Sequence, residues 1–206
     1  MTIKQLHDLI KLLKSESQSN FFTPEDIDSA LNAASDDKFA EEKKLLEQTS
    51  IISDNLRNFK TSASVTISAG VGSLPADYSY RLAASASNDS IEIDIVPEHE
   101  WIQRRNDPID VPSTTNPIMT IRSNIEVYPD MTPIKLYYIK RPATMVFGYT
   151  LSSEDFVYSS GTSTQCDWPA ETHIDILRRA AVYLGIPLND QALMTIENFK
   201  KRTENV

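Results

Sequence analysis

The chain has 206 residues, enough for one sizeable hydrophobic core or for a compact domain with an added helical segment. Its 40% hydrophobic and 24% charged residues are ordinary for a globular protein, and a formal charge of −9 argues against a surface built to grip phosphates. Only five glycines and one cysteine, Cys166, leave little for phosphate-cradling loops and nothing for an intramolecular disulfide framework. No apolar run approaches the roughly 18 residues of a membrane span. The opening "MTIKQLHDLIKLLKSES" has no continuous apolar stretch of the kind a signal peptide needs, so a reducing cytoplasm is the expected setting.

The first sixty residues read as helical. In "IKQLHDLIKLL", Ile3, Leu6, Leu9, Ile10 and Leu13 recur at spacings of three and four, which makes one apolar stripe. "TPEDIDSAL" starts a helix with Thr23 as N-cap, Pro24 in the first helical position and acids in the first turn. A third segment, from Asp37 to Phe59, has the apolar spacing of a long helix buried on one side.

From Thr61 the period changes to two. "SVTISA", "DYSYRLAASAS" and "SIEIDIVP" alternate as strands, with Tyr78, Tyr80 and Leu82 on one face of the second. Between the first two, "SAGVGS" has a G-x-G without a third glycine or a following Lys-Ser/Thr, and is expected to be a flexible turn or a hairpin tip. "EHEWIQRRND" predicts a short helix near 98–106, ended by Pro108, and 107–117 an ordered surface loop. "IMTIR", "IEVYP", "IKLYYIKRP" and "MVFGYTL" then follow as short strands. The gaps between them are too short for crossover helices, so a mainly antiparallel sheet is expected.

The C-terminus returns to helix. "WPAETHIDILRRAAVYLGI" predicts a stripe of Ile174, Leu177, Ala181 and Leu184, with Gly185 just past the end and Pro187 beyond. "LNDQALMTIENFKKRTENV" predicts a second helix. The fold class is therefore α+β: N-terminal helices over 1–60, an antiparallel sheet core over 61–165, and a C-terminal helix pair over 166–206, in one compact domain.

Catalytic and ligand-binding signatures do not assemble. His7, His99 and His173 stand in separate segments without metal-ligand spacing, and read as surface or capping residues. Cys166 has no CxxC partner and reads as an inert thiol. Glu171 and Asp175 share a helix face, where acids near a helix start are electrostatically favoured. The adjacent pairs Arg104-Arg105 and Arg178-Arg179 point apart on a helix, which suits separate salt bridges better than one clamp. No catalytic residue, cofactor or metal ligand is expected. In "PIKLYYIKRP", Ile134, Leu136 and Tyr138 alternate with Lys135, Tyr137 and Ile139, a pattern that suits a strand covered on both faces. Lys140 and Arg141 close it.

Four segments occur in order: "SLPADYSYRLAAS", "EHEWIQRRNDPIDVPSTTNPIMTIR", "IEVYPDMTPIKLYYIKRPATM" and "CDWPAETHIDILRRAAVYLGIPLND". Together they resemble small virion structural proteins of tailed phages of Bacteroidetes, particularly crAss-like phages, and are similar to the ring proteins below the portal in the head–tail neck. The resemblance covers roughly Thr61 to Asn189. It implies a non-enzymatic subunit that closes into a ring, twelvefold to match the portal, around the path of genomic double-stranded DNA. The DNA passes without specific binding, and the neighbours are portal, adjacent ring or tail proteins. The protein would reside in the virion after assembly in the host cytoplasm. Candidate assembly contacts are Tyr137, Lys140, Arg141, Trp168, Arg178 and Arg179. Other head- or tail-completion factors share this reading, and a cytoplasmic enzyme or ligand-binding module is the reading from a different class.

Overall fold

The computed structural model describes residues 1–15, 22–49, 54–86, 89–152 and 155–187, and the chain is α+β. It divides into two compact units, one of residues 1–58 with 142–206, the other of residues 59–141. The sheet-rich unit is thus narrower than the expected 61–165, and the segment after Pro142 joins the N-terminal helices.

In the helical unit, α1 (Ile3–Ser15) buries the stripe its spacing predicts: Ile3, Leu6, Leu9, Ile10 and Leu13 are all fully buried. Each such side chain contributes roughly 1.5–3 kcal/mol relative to exposure. The second helix, α2 (Pro24–Thr49), is one continuous element where two were expected. Between Pro24 and Thr49 there is no glycine or further proline to break it, and Lys38 bridges Glu42 one turn on at 3.0 Å. Its start is a reciprocal cap: Asp26 N–H donates to Thr23 Oγ1 at 3.2 Å, and Thr23 N–H donates to Asp26 Oδ2 at 2.9 Å. A 3-10 turn, Asp54–Phe59, follows.

The last described helix, α4 (His173–Tyr183), contacts both α1 and α2. Its buried face is His173, Ile176, Leu177, Ala180 and Ala181, rotated from the expected stripe; Ile174 is only half-buried. Past its end Gly185 has φ +68°, Gly185 N–H donates to Val182 O at 3.0 Å, and Ile186 N–H donates to Ala181 O at 2.9 Å. This is the left-handed C-terminal cap that glycine favours. The expected second C-terminal helix, over 188–206, lies outside the described residues. The same unit also holds a hairpin, β8 (Tyr149–Ser152) with β9 (Asp155–Tyr158), whose second strand the sequence pattern did not reveal.

The other unit is layered. One sheet has the order β1 (Lys60–Val65), β7 (Ile134–Lys140), β3 (Tyr78–Ala86), all antiparallel. A second runs β2 (Val71–Gly72), β6 (Ile125–Tyr128), β5 (Ile118–Ile121), β4 (Asp94–Ile95). Among the described residues, β4–β5 alone is parallel. The inner faces share one core: Ile134, Leu136 and Tyr138 from β7 join Met119, Ile125 and Val127 from β5 and β6. On the outer face of the second sheet, α3 (Glu98–Arg105) packs Trp101 against Val96 and Ile118.

Two irregularities in the β3–β7 register break the expected alternation of Tyr78, Tyr80 and Leu82. Of the two forms expected for "SAGVGS", the structure has a tight turn: Ser68 and Val71 exchange backbone hydrogen bonds, with Ala69 at φ 51° and Gly70 at φ 78°.

Candidate assembly surface

Strand β7 buries Ile134, Leu136 and Tyr138 on one face; on the other only Ile139, at 1% exposure, is buried, and Lys135 and Tyr137 are half-exposed. At its end Lys140 pairs opposite Tyr78 of β3 and is half-exposed, and the exposed Arg141 donates its N–H to Asp77 O at 2.7 Å. The two cations therefore mark a rigid, hydrogen-bonded corner of the sheet.

Tyr137 is engaged within its own unit. Its hydroxyl donates to Asp89 Oδ1 at 2.8 Å, where Ser85 Oγ also donates at 2.6 Å, and Lys135 Nζ reaches Oδ2 at 2.7 Å. Asp89 sits at φ 56°, a conformation that Asp and Asn tolerate better than other side chains. These donors, Lys135 first, hold its carboxyl down to about 2 from the usual 3.8. Because the folded pKa is depressed, the cluster stabilises the fold fully above about pH 4 and loses that contribution as pH falls toward 2. Asp89→Asn keeps the backbone conformation and removes the charge. Its melting temperature should fall below wild type at pH 7, and the gap should close by pH 2; a gap independent of pH would contradict this.

Trp168, expected at a docking face, is instead 3% exposed inside the helical unit. Its Nε1–H donates to Ser35 Oγ at 2.8 Å and its ring meets Phe39 edge-on. Burial overrides a contact role because the aromatic ring fills the helix junction and its one polar atom has an internal partner.

Arg179, also expected at an interface, crosses from α4 to α2, reaching Glu41 at 2.6 Å and Asp175 of its own helix at 3.4 Å. Lys38 joins the same network through Asp175 at 3.5 Å. Arg178 is half-buried, and its Nε is without a hydrogen-bond partner among the described residues. The two arginines thus point apart. Arg104 and Arg105 do so too: Arg104 binds Asp110 at 2.7 Å, whereas Arg105 lies over the Tyr128 ring at 4.6 Å. Glu171 pairs with Arg57 at 3.1 Å, separately from Asp175.

Two of the three histidines are buried, contrary to expectation. His7 is fully enclosed, hydrogen-bonded to Asp28 Oδ1 at 2.8 Å and stacked on Phe147 with centroids 4.3 Å apart. His173 donates from Nε2 to Trp168 O at 2.8 Å and accepts at Nδ1 from the Met1 nitrogen at 2.6 Å; burial lowers its pKa. His99 is exposed. Burial also pushes the Cys166 thiol up, which disfavours the thiolate. Among the described residues no cluster of three or more His, Cys, Asp and Glu is placed to hold a metal ion. Among the same residues, no helix is long and apolar enough to cross a membrane.

The most exposed large apolar side chain among the described residues, Ile109, lies where the sequence suggested only a loop. Ile109 is 93% exposed and Val111 62%, and Ile102 of α3 is 69% exposed. Their backbone is nonetheless pinned. Asp107 Oδ1 accepts from Ile109 N–H at 2.8 Å, Asp110 binds Arg104, Asn116 Nδ2 donates to Asp110 Oδ1 at 2.9 Å, and Ser113 and Asn116 exchange backbone bonds. The signal in the sequence was two β-branched residues set among prolines and aspartates, "PIDVP". No family model and no curated protein matches the chain.

Proposed function

We propose that the chain is a non-enzymatic structural subunit of a tailed-phage virion. In this reading it is a ring or adaptor protein of the portal–tail neck that forms a homo-oligomeric ring around the DNA channel. The observation that carries the reading is the pinned apolar platform of Ile109 and Val111. Exposed apolar groups grouped on an ordered loop mark a docking surface, and holding the loop in place beforehand lowers the entropy lost on binding. The platform lies in a segment that resembles phage neck proteins, "EHEWIQRRNDPIDVPSTTNPIMTIR". The net charge of −9 also supports a wall along which DNA slides, because like charge repels phosphates. Portal, an adjacent ring or tail proteins are the partners, with no cofactor and no membrane.

Native mass spectrometry of the purified protein, alone and with portal, tests the reading. A closed ring, or a ring that forms on portal, is expected; a monomer that ignores portal refutes it. Ile109→Asp with Val111→Asp should weaken portal or ring association by about tenfold or more while leaving the circular dichroism unchanged. Charge reversal at Lys140 and Arg141 should likewise reduce assembly. Loss of soluble monomer in that variant would instead make the pair internal partners of the sheet.

A further inference from the structure

We propose that the free edge of β1 is a strand-addition site that takes up the β8–β9 ribbon of a second copy of this chain; the inference rests on the ring reading above. The three-stranded sheet has two edges, and they differ. Along β3, Ala86 N–H donates to Ile91 O at 2.8 Å and Ile93 N–H to Ala84 O at 2.9 Å, so half of that edge is occupied. The remainder carries the two register irregularities, which blunt pairing.

Strand β1 has neither protection. It runs in unbroken register with β7 from Lys60 to Val65 and, among the described residues, pairs on that side alone. It contains no proline and one charged residue, Lys60, and Ser62 and Ser64 are exposed. Beside its C-terminal end lies an open groove of about 390 Å³ lined by Ala63, Val65, Leu74 and Pro75. A flat edge with room alongside accepts an extended chain through backbone hydrogen bonds.

The ribbon fits as occupant. Among the described residues β8 and β9 pair only with each other, and a two-stranded ribbon alone is marginal in water. Leu151 of β8 is 71% exposed, so a strand added beside β8 would flank apolar surface. Two different edges joined head to tail give a heterologous contact, the kind that closes into rings.

Mixing full-length chains tests this. In a Cys166→Ser background, one preparation carries Ser62→Cys and the other Thr150→Cys, and a short bis-maleimide is added. A crosslinked dimer in the mixture, absent from either preparation alone, is expected, together with loss of the ring in Ser62→Lys/Ser64→Lys chains that keep their melting temperature. Crosslinking of the Ser62→Cys chain with itself would show β1 pairing with β1 and overturn the inference. A ring that forms without any crosslink, or that survives the lysines, would overturn it while leaving the ring reading intact. A monomer under all conditions would overturn both.

Discussion

Trp168→Ala should destabilise the fold by about 3–5 kcal/mol, measured as a lowered urea midpoint at pH 7. Trp168 is 3% exposed, so truncation removes the largest side chain at the junction of helices α2 and α4 and leaves a cavity that rigid helices close only in part. A second cost adds to the first. Ser35 is itself 2% exposed and loses the Nε1–H that its hydroxyl accepts. An orphaned buried hydroxyl costs about 1–3 kcal/mol. Trp168→Phe separates the two contributions, because it keeps most of the ring volume and removes only the donor. It should cost about 1–2 kcal/mol and leave assembly untouched. Loss of assembly in Trp168→Phe at near-normal stability would return the residue to the interface that its sequence position first suggested.

That reversal shows what the chain reveals before folding. Periodicity made α1 legible to the residue, because five apolar positions at helical spacing have one way to be buried together. The caps at Thr23 and Gly185 were equally legible, since each rests on chemistry local to a few residues. Tyr137, Trp168 and Arg179 were legible as important and not as internal. Their partners, Asp89, Ser35 and Glu41, lie 48, 133 and 138 residues away in the chain, and no local pattern encodes such a pairing. The same holds for the buried His7, paired with Asp28 and stacked on Phe147. Ile109 and Val111 are illegible for the opposite reason. Proline-rich polar surroundings read as a solvated loop, and their exposure matters only because distant-looking polar groups fix the backbone beneath them.

Gly148→Ala is expected to be the other strongly damaging change, at about 3 kcal/mol or more. A Cβ built at Gly148 would lie 2.5 Å from Thr162 C and 2.8 Å from Ser163 N, both backbone atoms that cannot rotate away. The approach is close because a web of hydrogen bonds draws the two segments together. Gly148 N–H donates to Ser163 Oγ at 3.0 Å, Ser163 Oγ donates to Ser159 O at 2.6 Å, and Ser159 N–H donates to Gly148 O at 2.7 Å. A methyl group must either break this web or displace the base of the β8–β9 ribbon, which starts at Tyr149. Gly161→Ala provides the matched control, since a Cβ there meets no heavy atom within 4 Å, and its effect on stability should stay within about 0.5 kcal/mol. Chemical denaturation of the two variants measures the difference. Because the ribbon is the proposed arm between copies, Gly148→Ala should also lose ring formation under conditions where its helices remain folded by circular dichroism. Equal behaviour of the two alanine variants would mean that the Gly148 turn gives way without strain and that the ribbon is not anchored there.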